Sequence, residues 1–385
     1  MDMSSSNFIE SIVVLENFSH GKFSRVFLGR QSNATSHLKA PYFVVKVYCR
    51  DKSKSRSQRI LSEKAVMQRS AVENNPYTAK LLFTTKNIEK LYFIIEAYEC
   101  GHLNHHIRES ERGRMSAVVA RKYAAEIVSA LLSLMKCGCI HRDIKAKNLL
   151  VDKFGHLKLC DFGSSKILFD QEQLETILIG GPPISPRTFS IVGTKQCMAP
   201  EIIAKSCGYS FPVDWWAFGV LLFEMLCGAL PAFKGACTLD NETTIELAMA
   251  GAWPDDATSL TAQNAVRLSI SELDSTVVSC GDWSPVLTAS NAAVLSSSDL
   301  HCSGWTLIQS LLTPCPDKRL GPWDAEALKE NSFFEGINWA EVDAGVSPPP
   351  DLSFNQHLGF NLEDYEDNSM MTADDDHDSR LFEGF

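Results

Sequence analysis

The sequence predicts an α+β fold, β-rich at its start and helical afterwards, and three observations carry that prediction. Apolar stretches of strand character crowd the chain before residue 100, at 12–15, 26–28, 42–47, 80–83 and 91–95. From residue 115 the apolar positions Val119, Tyr123, Ile127, Leu131 and Met135 recur at helical spacing. The run 213–224 is apolar nearly all round, as a buried central helix must be. With 385 residues, 45% of them hydrophobic, the chain can build a real core, as one large two-lobed domain or two ordinary ones.

Bulk properties exclude several classes. A net charge of −11 and a pI near 5.4 argue against nucleic acid or an anionic membrane as the main partner, since both demand a basic face. The 12 cysteines lack paired motif spacing, which points to thiols in a reducing compartment and not to a disulfide framework. The start MDMSSSNFIE has neither a basic n-region nor an apolar run, so no signal peptide is expected, and Asp2 stands where myristoylation needs glycine. The longest apolar run, 215–223, stops at Glu224 and is too short for a membrane span.

In chain order, 8–28 reads as a hairpin: Ile9, Ile12, Val13, Val14 and Leu15, a turn around Gly21, then Val26, Phe27 and Leu28. The next strand, 42–47, is almost continuously apolar and contains Lys46, a charge that is expensive there unless paired. Its expected partner is Glu63, in a helix over 57–70 that turns Ile60, Leu61 and Val66 to the core and Glu63 to a cleft. Strands at 80–83 and 91–95 follow, then a helix from Met115, with Ser116 as N-cap and Gly138 as stop. Further on, 180–183 reads as a flexible insertion, a helix is plausible at 243–250, and 255–303 reads as a second insertion before a helix at 305–312.

Residues 139–166 carry the chemistry. Short strands at 148–151 and 157–159 are flanked by His141-Arg142-Asp143, Lys145, Asn148 and Asp161-Phe162-Gly163, in fixed order and separation. This stretch resembles the catalytic segment of eukaryotic protein kinases, and wider matches resemble the AGC group of serine/threonine kinases. Phosphoryl transfer needs Mg2+ on the triphosphate, a cation at the transferring group and an acceptor for the hydroxyl proton. Asp161 and Asn148 offer hard oxygens for Mg2+, Asp143 would orient the hydroxyl and accept its proton, and Lys145 would meet the charge on the γ-phosphate.

The resemblance implies more, residue by residue. The phosphate-covering loop falls on 19–26, keeping only the middle glycine, Gly21, with Val26 at its end. Lys46 would reach the α- and β-phosphates while paired with Glu63, backbone groups of Glu96 and Tyr98 would bind adenine, and Ile95 would set the pocket's depth. Thr194 would bridge Asp143 and Lys145, Asp214 would brace the catalytic loop, and Glu201 would pair with Arg319. Ser190 matches the activation-loop phosphoacceptor, with Arg142 and Lys166 as its cations and either an upstream kinase or the chain itself as its modifier. Residues 360–365 resemble the extension laid across the ATP cleft, and Phe382 and Phe385 resemble the hydrophobic motif that docks in cis against the small lobe.

The implied organisation is a bilobal kinase fold. It has a tail at 1–7, a kinase domain at 8–335 with a small lobe (8–96) and a large lobe (97–335), insertions near 169–187 and 255–303, and an AGC-type C-terminal extension at 336–385. The implied activity is ATP-dependent phosphorylation of serine or threonine in protein substrates, with ATP and Mg2+ as cofactors, in cytoplasmic signalling that extends to the nucleus. A catalytically weak or inactive kinase-fold scaffold is the alternative, suggested by the missing loop glycines. Residues 125–131 and 164–168 look like the phosphoinositide-dependent branch, and the terminal Phe pair like the cyclic-AMP-dependent one. Where basophilic members carry acids the chain keeps Glu224 but has Lys147, His102 and Gln196, so a preference for arginine three residues upstream of the target is not expected.

Overall fold

The computed structural model describes residues 12–20, 24–31, 42–49, 54–169, 187–204, 208–233, 285–286, 291, 294–295, 298–321 and 323–350; at 19–20, 54–56, 204, 232–233 and 285–286 it describes backbone alone. The first lobe is an antiparallel sheet of β1 (Ile12–His20), β2 (Ser24–Gln31), β3 (Tyr42–Cys49), β4 (Leu81–Lys86) and β5 (Lys90–Glu96), in the order β1-β2-β3-β5-β4. Alternation decides what each face does. Phe43, Val45 and Val47 turn to one side, into a small cluster with Ile12, Val14, Phe27, Tyr92 and Ile94. Lys46 and Tyr48 turn to the other, where helix α1 (Lys54–Glu73) crosses.

On α1 the buried residues Ile60, Glu63, Val66, Met67 and Ser70 fall three and four apart and form one stripe. Leu61 does not join them. It is 61% exposed, which corrects the expectation that it faces the core: one residue past Ile60 lies about 100° round the helix and off the stripe.

The sheet passes into the second lobe through 97–102, where Cys100 N–H donates to Val151 O at 3.1 Å and Val151 N–H to Gly101 O at 2.9 Å. After α2 (Leu103–Glu109), the central α3 (Ala117–Lys136) starts where Ser116 Oγ accepts from Val119 N–H. It ends before Gly138, whose φ of +69° and close approach to Phe169 O leave no room for a side chain. Three two-stranded ribbons follow: β6 (Cys139–Ile140) with β9 (Lys166–Ile167), β7 (Leu149–Val151) with β8 (Leu157–Leu159), and β10 (Ala232–Phe233) with β11 (Pro285–Val286). The short α4 (Pro200–Ala204) precedes α5 (Pro212–Cys227), which is buried all round as its composition requires.

Helix α6 (Asp299–Leu311) packs on α5 through Leu307, Ile308 and Leu311. It begins six residues earlier than the 305–312 expected and inside the stretch read as an insertion, because Ser298 Oγ accepts from His301 N–H and caps it. Leu295, also within that stretch, is buried in the main core. After α7 (Ala325–Lys329), α8 (Trp339–Ala344) lies against α3, with Val342 buried and Asp343 Oδ1 accepting from Ser129 Oγ at 2.8 Å.

The expected helix at 243–250, the loop at 180–183, residues 360–365, and Phe382 and Phe385 lie outside the described residues. Among the described residues nine cysteines are free thiols, and no helix is long and apolar enough to cross a membrane.

Candidate active site

Two groups of side chains meet where the lobes join. The first is built on β3 and α1. Lys46 Nζ lies 2.8 Å from Glu63 Oε1 and 3.0 Å from Asp161 Oδ1, so an ammonium on a strand links a buried helix carboxylate to the start of the Asp161-Phe162-Gly163 turn. Burial works against the Lys46 charge, but Glu63, Tyr48 and Asp161 together outweigh it and hold the ammonium well above the ordinary lysine value. Val26 stands opposite Lys46 in the β2–β3 register, and Gly21 lies outside the described residues.

The second group is built on the loop after β6. Asp143 Oδ1 accepts from Thr194 N–H at 2.9 Å and Thr194 Oγ1 at 2.7 Å; Oδ2 accepts from Lys145 Nζ at 2.7 Å and Asn148 Nδ2 at 2.9 Å. Lys145 Nζ also donates to Thr194 Oγ1 at 2.6 Å, so Thr194 does bridge Asp143 and Lys145. Burial pushes the Asp143 carboxyl up, but the bonds from Lys145, Thr194 and Asn148 more than offset it and hold it below the ordinary aspartate value.

These groups are tied by main chain. Cys160 N–H donates to Asn148 O at 2.9 Å, placing Asp161 beside the Asp143 loop. His141 is fully buried: its Nδ1 accepts from Asp143 N–H, its Nε2 donates to Cys160 O at 3.1 Å, and its ring meets Phe162 edge-on at 5.2 Å. Asp214, at the start of α5, accepts from His141 N–H and Arg142 N–H, both at 2.7 Å. The two residues at the bends, Arg142 (φ +69°) and Asp161 (φ +58°), are left-handed, a conformation that costs a non-glycine residue about 1–3 kcal/mol and clusters at functional sites.

The residues fit a magnesium nucleotide. The Asp161 side chain is 52% exposed, a hard anionic oxygen donor beside Lys46; partial desolvation, which would raise its carboxyl, is outweighed by the Lys46 charge, so it stays ionised. Asn148 commits Nδ2 to Asp143 O and Oδ2, leaving Oδ1 as its remaining amide atom. One carboxylate and one carbonyl oxygen are what Mg2+ takes from protein when phosphates and water supply the rest.

At the hinge, Glu96 N–H donates to Lys80 O at 3.0 Å, while the Tyr98 hydroxyl turns inward, accepting from Lys80 N–H at 3.1 Å and donating to Glu96 Oε2 at 3.1 Å. Ser190 is exposed and its Oγ accepts from Arg142 Nη1 at 2.8 Å. Lys166 reaches Thr188 Oγ1 at 3.1 Å, one hydroxyl away from Ser190. Glu201 and Arg319 form a two-pronged pair at 2.6 and 2.9 Å.

Sequence reasoning missed several contributors. Tyr48 donates to Glu63 Oε2, but a tyrosine in a strand reads as core. Arg59 and Ser62 of α1 donate to Gly163 O and Ser165 O, and Arg69 donates to Cys137 O and Phe169 O. Contacts to main chain leave no pattern in the partner's sequence. Gly193, with φ +108°, sits against Arg142 O and leaves no room for a Cβ; a glycine directly before a motif threonine was the only available signal.

The comparisons agree with this geometry. A family model described as protein kinase domain matches residues 12–334. Ribosomal protein S6 kinase alpha-4 of Mus musculus is 29% identical over 347 residues, which are 89% of this chain and 37% of the relative. Serine/threonine-protein kinase akt-1 of Caenorhabditis elegans is 32% identical over 346 residues, 89% of this chain and 51% of the relative. The cAMP-dependent protein kinase catalytic subunit PRKX of Mus musculus is 36% identical over 213 residues, 55% of this chain and 53% of the relative. The chain thus spans between 37% and 53% of the length of these three relatives.

Proposed function

Since the chain belongs to the protein kinase family, we propose that it is a serine/threonine kinase that moves the γ-phosphate of Mg-ATP to a hydroxyl of a protein substrate. The observation that carries the reading is the convergence of Lys46, Glu63 and Asp161 within 3.0 Å beside an Asp143 held by Lys145 and Thr194. A scaffold without turnover has no need of a half-exposed Asp161 with its charge preserved beside Lys46.

On this reading each residue has a task. Lys46, fixed by Glu63, holds the non-transferring phosphates, and the backbone at Glu96 and Tyr98 seats adenine. Bound Mg2+ would neutralise the triphosphate oxygens, and Asp161 with Asn148 would hold it. A carboxylate has about four acceptor sites, and those of Asp143 are filled by Thr194 twice, Lys145 and Asn148. A substrate hydroxyl therefore gains its place on Asp143 as the Lys145 ammonium moves to the γ-phosphate, coupling arrival of the hydroxyl to stabilisation of the transferring group.

Regulation follows the same reading. Phosphate on Ser190 from an upstream kinase would meet Arg142, whose own backbone is held by Asp214 next to the catalytic aspartate. Residues 336–385 are read as the AGC-type extension, ending in the cis-docking Phe382 and Phe385, and the setting as cytoplasm and nucleus. The test is transfer of labelled phosphate from Mg-ATP to a degenerate peptide library. Serine and threonine peptides are expected to be labelled, with a loss of about 10²–10⁴-fold in Asp143→Ala. Equal labelling by the two chains would end the proposal.

A further inference from the structure

Tyr48 has no part in the reading above, yet it completes the ion pair on the nucleotide side. Lys46 and Tyr48 are two apart on β3 and so project from one face. Lys46 takes Glu63 Oε1 at 2.8 Å while the Tyr48 hydroxyl donates to Oε2. The ring packs edge-on against Phe93 at 5.4 Å and lies 5.5 Å from the Lys46 ammonium. Glu63 is 3% exposed, so water does not stand in for a missing donor, and a buried carboxylate oxygen left bare is costly. The last torsion of a glutamate is broad, so a lone contact with Lys46 would let the carboxylate swivel. A second donor, from the same strand, fixes its plane.

We propose that Tyr48 is a positioning residue: its hydroxyl holds the Glu63 carboxylate, and through it the Lys46 ammonium, in the orientation that receives the nucleotide phosphates. The inference rests on the phosphotransferase reading of the same crevice. Burial, only partly opposed by Lys46, pushes the phenol well above the ordinary tyrosine value, so the group is a donor at every working pH. An aliphatic residue would fill the space without holding the carboxylate.

The test compares the full chain with Tyr48→Phe, which keeps the ring against Phe93, and with Tyr48→Met, which keeps only bulk. Three quantities are read: steady-state kinetics for Mg-ATP and peptide, the Kd of a fluorescent ADP analogue with Mg2+, and the melting temperature. Both variants should lose about tenfold in kcat/KM for Mg-ATP, with peptide KM unchanged and melting shifted by a few degrees at most. Nucleotide affinity should fall in parallel, and that fall should vanish when Tyr48→Phe is placed in a Glu63→Ala background. Unchanged kcat/KM, a loss undiminished in the Glu63→Ala background, or a collapse of melting with normal kinetics per folded molecule overturns the proposal. An inactive wild-type chain would instead defeat the phosphotransferase reading, and the nucleotide affinities, which need no turnover, would still decide the role of Tyr48.

Discussion

Replacing Arg319 with alanine tests the energetics of the large lobe. The Arg319 side chain is fully buried and that of Glu201 is 7% exposed, so neither charge is solvated. The guanidinium donates to both Glu201 oxygens and to the carbonyls of Thr313, Pro212 and Pro314, at 2.9, 2.9 and 3.1 Å. It also lies 5.2 Å from the Trp216 ring centroid. Breaking a buried pair by removing one partner costs about 3–5 kcal/mol, because the remaining charge stays in a dry site. The three carbonyls left without a donor would add to this, at about 1 kcal/mol or more each, so the pair value is a lower bound on the cost. With the large lobe as a cooperative unit of about 200 residues, where about 1 kcal/mol is worth 2–4 °C, the melting temperature should fall by on the order of 10 °C or more. Calorimetry or dye-monitored melting reads it directly. Arg319→Lys should recover less than half of the loss, since a compact ammonium cannot reproduce a planar fork. A melting temperature for Arg319→Ala within about 2 °C of wild type would refute the reasoning.

Other perturbations reach the site itself. Adding a Cβ at Gly193 meets Arg142 O at a φ of +108°, so Gly193→Ala should displace the Asp143 loop, with kcat falling far more than the melting temperature; unchanged kcat argues against it. Phosphorylated chain should turn over at least about tenfold faster than Ser190→Ala, the worth of one charge-assisted bond to Arg142, and Arg142→Ala should abolish the difference; equal turnover would remove Ser190 from the account. His156 Nδ1 lies 2.7 Å from the buried Glu126 carboxylate, and that bond raises the imidazole above the ordinary histidine value of 6.5, against burial. A raised value means the folded chain binds the proton more tightly, so this stabilisation is complete below pH 6.5 and is lost as pH rises through the folded-state value. Denaturant midpoints between pH 6 and 9 should decline with pH in the wild type and less steeply in His156→Gln; parallel curves would exclude the pair as the cause.

Much of this was legible because burial imposes period. The α5 run 213–224 and the Lys46–Glu63 pairing follow from what an apolar environment demands of a helix or of a lone charge. Leu61 shows where pattern fails: apolar type alone placed it inward, and the stripe through Ile60, Glu63 and Val66 decided otherwise. The early start of α6 was hidden because Ser298 and Asp299 read equally well as loop and as cap. The left-handed Arg142 and Asp161 could not be read at all, since nothing in an arginine or aspartate announces a positive φ; tertiary contacts impose it. Ser190 beside Arg142 was legible only through resemblance, because the two are 48 residues apart.

The grip of α1 on the rest of the molecule has a corollary for variation. Arg59, Ser62 and Arg69 hold the carbonyls of Gly163, Ser165, Cys137 and Phe169, atoms that every amino acid carries. The hydrogen bonds to those carbonyls do not depend on which side chain the acceptor residue carries, so a replacement that leaves the backbone in place keeps the mechanical connection between helix and loop. It breaks only when the path of the polypeptide itself is bent, which makes an inserted or deleted residue in 163–169 more damaging than a replaced one.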